Sequence, residues 1–202
     1  MQNQHLLEIG HAMLHGSKNI EDWWKENAVF LSGIQSVSSA EEVAIWSSAY
    51  FNYGKYLLNK GYAKKAFGHV EKALAIIDNN KQLLGDQYKD WSATIRETKS
   101  AVLFKIGKKW DAYKIMKQLH EEDMEKDDYK EALDNIFSAC IWSFVWPCYA
   151  VIACLWLLST LDKHTLHLGF FPAWMWDISW VIWMVLLAIQ FVVPFVMKKN
   201  RK

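Results

Sequence analysis

The stretch YFNYGKYLLNKGYAKKAFGHVEKALAIID, residues 50–78, reads as two helices joined at a glycine. Apolar residues recur at three- and four-residue spacing on both sides of Gly61, the period of a helix with one buried face; a half-buried strand would alternate every second residue. A second stretch of the same kind, TKSAVLFKIGKKWDAYKIMKQLHEED at residues 98–123, turns at Gly107. Outward from these hairpins no proline occurs before Pro147, so nothing in residues 1–135 breaks helix by losing its N–H. The expected fold class is therefore all-α, with helices at residues 4–15, 20–35, 40–59, 62–78, 81–106 and 108–122. A seventh starts near Asp127 and runs into an apolar segment. Ser38 and Ser39 stand three residues before Glu41 and Glu42, which predicts a capping box at the third helix.

Aligned on Gly61 and Gly107, the hairpins match at Leu57 with Leu103, Ala66 with Ala112, Val70 with Met116 and Ala73 with Leu119. The pattern resembles the tetratricopeptide repeat. In the first hairpin Tyr50, Gly54, Leu57, Gly61, Ala66, Val70, Ala73 and Leu74 fall where that family's pattern places them, while Asp78 stands where the family usually has proline. The second hairpin departs at Arg96, Lys99 and Ser100, which replace an aromatic, an aliphatic and a glycine. The turn glycines lie 46 residues apart, against a repeat of about 34. The resemblance implies a stack of helical hairpins that binds another chain on its inner helices. The residues it points to are Phe51, Asn52, Lys55 and Asn59 in one hairpin and Phe104 and Lys105 in the other. The Lys and Asn arrangement of the family's chaperone-tail binders is not reproduced.

Charge divides the chain in two. Residues 1–135 hold 18 of the 23 Lys and Arg and 20 of the 22 Asp and Glu, while residues 136–202 hold seven charges and seven of the twelve Trp. Residues 136–161 (IFSACIWSFVWPCYAVIACLWLLSTL) run 26 residues without a charge, against the roughly 20 that span a bilayer core. Residues 178–197 run 20 more, and the expectation is a second span. The short aromatic loop at residues 162–177 then lies on the far side, and residues 198–202 form a basic tail. Lys126, Lys130, Lys198, Lys199, Arg201 and Lys202 flank the spans, whereas the loop has Lys163 alone. The positive-inside rule then places both termini in the cytoplasm, with a bacterial inner membrane as the expected location. Ala139, Ser143, Pro147, Ala150 and Cys154 line one face of the first span with small residues, a surface that admits close helix contact and a homo-oligomer. Gln190 is the strongly polar side chain of the second span, and its expected partner is Ser143 or Cys140 of the first span or the same Gln190 in a neighbouring copy.

No catalytic motif is legible: there is no phosphate-binding glycine loop, no HExxH and no Cys with a His partner in residues 1–135. His11 with His15, and Asp162 with His164 and His167, fall short of complete ligand sets, so no metal or cofactor is expected. The mildly acidic balance of residues 1–135 disfavours nucleic acid. Expected partners are a cytoplasmic protein or peptide and membrane lipid. The expected function is that of a membrane-tethered interaction scaffold rather than an enzyme. The alternative is a sensor-effector whose oligomerised hairpins permeabilise the membrane, for example in anti-phage defence.

Overall fold

The computed structural model describes residues 2–15, 19–161 and 180–188, and among these every regular element is helical. In order they are α1 (Gln2–His15), α2 (Ile20–Gly33), α3 (Ala40–Asn59), α4 (Ala63–Asn79), α5 (Lys81–Leu84), α6 (Gln87–Lys105), α7 (Lys109–Glu122) and α8 (Asp127–Leu161). The chain divides into two compact units, Met1–Leu133 and Asp134–Lys202.

In the first unit α3 packs on α4 and α6 on α7, so each glycine turn closes a helical hairpin, and α4 meets α6 to set the hairpins side by side. Both turns use one hydrogen-bond pattern. Gly61 N–H donates to the Leu58 carbonyl and Tyr62 N–H to Leu57; Gly107 N–H donates to Phe104 and Lys108 N–H to Leu103. These are Schellman caps, and they require a left-handed residue at the turn. Gly61 and Gly107 supply it at φ 85° and 89°, where a side chain would strain the backbone. Ala66 and Ala112, one turn into the second helix of each hairpin, are fully buried.

The core of this unit includes Leu31, Val43, Val70, Ile77, Ile95 and Val102, all within 1 % of complete burial. Each such aliphatic side chain contributes roughly 1.5–3 kcal/mol by leaving water. Gly54 lies against α4 so closely that a Cβ there would come within 2.9 Å of Val70 Cγ2. The start of α3 is capped as its sequence predicts. Ser39 Oγ accepts from Glu42 N–H at 3.2 Å, and the buried Glu42 carboxylate accepts from Ser38 N–H at 2.6 Å.

The single helix expected at residues 81–106 is two. Gly85, at φ 53°, ends α5 after one turn, and α6 restarts at Gln87. The buried Leu84 holds this extra turn to the core, and α5 packs on α3, α4 and α6. Part of the wide spacing between the hairpins is thus a separate turn of helix. The second helix also stops at Gly33 rather than residue 35, because Ile34 is extended at φ −66°, ψ 121°.

The three departures from the repeat pattern in the second hairpin all find partners. Arg96 grips Glu122 through both terminal nitrogens, Lys99 pairs with Glu71 at 2.9 Å, and the buried Ser100 hydroxyl donates to the Ala112 carbonyl at 3.0 Å. The Arg96 guanidinium, through those hydrogen bonds above all, holds the Glu122 carboxyl below its usual range.

In the second unit, α8 continues through Pro147. From Asp127 to Leu158 it is long and apolar enough to cross a membrane, with a window of mean hydropathy 1.9 of which only 6 % is buried. Trp142, Phe144, Trp146, Val151 and Leu157 stand exposed along it. Residues 180–188 are also helical and carry exposed Trp180, Val181 and Met184. The remainder of the expected second span, the 162–177 loop and the basic tail lie outside the described residues. Ala139 is half-buried, as is Cys148, while Ser143, Pro147, Ala150 and Cys154 are exposed. Residues 180–188 share a cavity with Tyr149, Ile152, Ala153 and Trp156 of α8, not with those small residues. The Ser143 hydroxyl donates to the Cys140 carbonyl of its own helix at 2.7 Å. Gln190 lies outside the described residues.

Candidate functional site

Helix α3 presents Asn52, Lys55 and Asn59 at three- and four-residue spacing, which puts them on one face. They line one groove of about 330 Å³, whose other wall is Ala12 of α1 and Ile20 and Trp23 of α2, with Tyr56 at its edge. Lys55 reaches across the half-buried Phe51, its Nζ 5.4 Å from the ring centroid. Trp23 is 5 % exposed, and its indole Nε1–H is buried with no hydrogen-bond partner among the described residues. An indole nitrogen only donates, and an orphaned buried donor costs about 1–3 kcal/mol. The groove therefore offers an ammonium and two amide side chains, a set that suits carbonyl or carboxylate oxygens.

Three of the sequence-expected residues thus meet in one place, and Phe51 supports Lys55 from beneath. Phe104 is half-buried and Lys105 exposed at the end of α6, and neither lines this groove. Trp23 and Ile20 are not legible as site residues in the sequence, because α1 and α2 fall outside the repeat pattern and nothing in their sequence registers them against α3. The side chains of His11 and His15 lie outside what the structure describes, as do Asp162, His164 and His167. Among the described residues no three His, Cys, Asp or Glu side chains gather as a metal site.

A second cleft, of about 720 Å³, lies where α2, α3 and α4 meet. Trp24 stacks on Tyr53 at 4.5 Å and 5°, and the His69 ring meets both edge-on at 5.0 and 4.9 Å. Glu21 accepts from the Tyr56 hydroxyl at 2.8 Å and pairs with Lys25 at 3.1 Å. The Tyr56 hydroxyl above all, then Lys25, hold its carboxyl below the usual range. Burial among the rings pushes the His69 imidazole below its ordinary value of 6.5.

The depressed imidazole makes the fold sensitive to acid. The unfolded chain takes up the His69 proton at a higher pH than the folded one does, so the folded state loses ground as pH falls through about 6.5. Thermal midpoints measured at about pH 7 and about pH 5.5 should differ, and His69→Gln should shrink the difference. An equal drop in both proteins would assign the effect to other groups.

No family model, curated protein or solved structure matches this chain.

Proposed function

We propose that the protein is a membrane-tethered interaction module: tetratricopeptide-like hairpins carry a peptide-binding groove, and a two-span apolar hairpin with both termini cytoplasmic holds it at the bilayer. The observation that carries the first half is the groove in which Asn52, Lys55 and Asn59 of α3 face Ala12, Ile20 and Trp23. An extended peptide presents carbonyl oxygens at regular spacing, and the groove presents donors to meet them. The second half rests on the exposed apolar surface of α8, which in water would be a large unfavourable patch.

Lys55→Ala combined with Asn59→Ala should weaken capture of a cytoplasmic partner by the full chain in detergent micelles. Both side chains are exposed, so folding stability should move by no more than about 0.5 kcal/mol. Partners retained at full strength by this double variant would place the groove elsewhere.

A further inference from the structure

The cleft between α2, α3 and α4 differs in chemistry from the peptide groove. Its walls contain no Asn, Gln, Ser or Thr side chain. The Tyr56 hydroxyl and the Glu21 carboxylate already satisfy each other. Tyr53 is stacked with both Trp24 and Tyr56, so what remains for a ligand is the outer border of that cluster, the exposed Tyr62 ring and two ammonium groups at the rim. Those ammoniums rest on rings. Lys60 Nζ sits 5.7 Å from the Tyr56 ring centroid and Lys65 Nζ 5.5 Å from that of Tyr62, and Lys60 is also within electrostatic reach of the Glu21 carboxylate. A cation resting on an exposed ring is held by about 0.5–1 kcal/mol, so an anion outcompetes the ring with ease. Tyr62 itself is 57 % exposed at the cleft mouth, a platform for a flat group on the face that Lys65 does not cover.

We infer that this cleft binds a nucleoside monophosphate, the base lying against Tyr62 and the Trp24–Tyr53–His69 cluster and the phosphate bridging Lys60 and Lys65. Its volume falls within the range of small-molecule sites, about 300–1,000 Å³. An exposed ring face accepts any base by stacking. A peptide is the poorer fit, because its backbone amides would find no side-chain amide or hydroxyl to meet them. The acidic balance of residues 1–135 opposes a long polyanion but not a single phosphate held at two local cations. The site is independent of the peptide groove, although Tyr56 borders both.

Equilibrium dialysis of the full chain in detergent micelles against AMP, GMP, CMP and UMP tests this, with adenosine and inorganic phosphate as separate arms. At least one nucleotide should saturate one site with a Kd below about 1 mM, and its nucleoside and phosphate alone should each bind at least about tenfold more weakly. Lys60→Ala with Lys65→Ala should reduce the nucleotide to the level of its nucleoside, with the thermal midpoint unchanged because both side chains are exposed. Tyr62→Ala should weaken nucleotide and nucleoside alike. The proposal is overturned if no nucleotide saturates, if phosphate alone binds as tightly, if the double lysine variant binds normally, or if a Glu- and Tyr-rich peptide saturates the cleft while every nucleotide fails.

Discussion

Phe144→Asp together with Val151→Asp is expected to loosen the chain's hold on the membrane, leaving residues 178–197 as its one uninterrupted apolar run. The two positions lie seven residues apart on α8, near the middle of its apolar part, and are 70 % and 59 % exposed, so neither substitution disturbs packing. Each carboxylate at the centre of a span costs about 2.5–3.5 kcal/mol, and the short Asp side chain cannot reach the interface as Lys or Arg would. Two of them offset most of what the surrounding Leu, Ile, Val and Phe contribute. Resistance to alkaline carbonate extraction is the measurement. Phe144→Leu with Val151→Leu should extract like the parent protein. A double Asp variant that resists extraction as fully as the parent would mean that α8 contributes nothing to holding the protein at membranes.

Trp46→Ala should be the most damaging single change in the first unit. The Trp46 side chain is 8 % exposed, its Nε1–H donates to the Leu31 carbonyl at the end of α2 at 3.0 Å, and Lys72 of α4 lies over its ring at 5.9 Å. One residue thus joins three helices. Removing a buried indole costs about 3–5 kcal/mol, and the loss also strands the Leu31 carbonyl. Against a total stability of about 5–15 kcal/mol for an ordinary domain, much of the folded margin disappears. Chemical denaturation followed by circular dichroism reads the loss directly. Trp46→Phe should recover part of it, since the cavity is then smaller although the hydrogen bond is still missing. A loss under about 1 kcal/mol for Trp46→Ala would show that α2 is not anchored through this contact.

The candidate site is half legible without any packing. Asn52, Lys55 and Asn59 share a face by helical spacing alone, and the structure adds the opposite wall from α1 and α2. Trp23 is silent in the sequence because an aromatic residue on an amphipathic helix is ordinary core. Only the lack of a partner for its nitrogen among the described residues distinguishes it, and that depends on what the surrounding helices bring. The aromatic cleft is illegible for the same reason. Trp24, Tyr53 and His69 come from three helices, and no spacing within one of them announces the meeting.

Period and turn chemistry are local properties, and they determine the all-α class, the ends of α3, the two glycine turns and the apolar run of α8. They act within four or five residues, so an isolated sequence exposes them. Gly85 shows where local signals run out. A glycine inside a helical pattern either continues the helix at a cost of about 1 kcal/mol or takes a positive φ and ends it. The choice here goes with the burial of Leu84 against helices far away in sequence. Arg96, Lys99 and Ser100 make the same point in reverse. Read along the chain they break a repeat pattern; packed against α4 and α7 they become an ion pair to Glu122, another to Glu71 and a buried hydrogen bond to Ala112. A charge or hydroxyl at a core-facing position is unfavourable until its partner is known, and the partner is supplied by helices that only packing brings together.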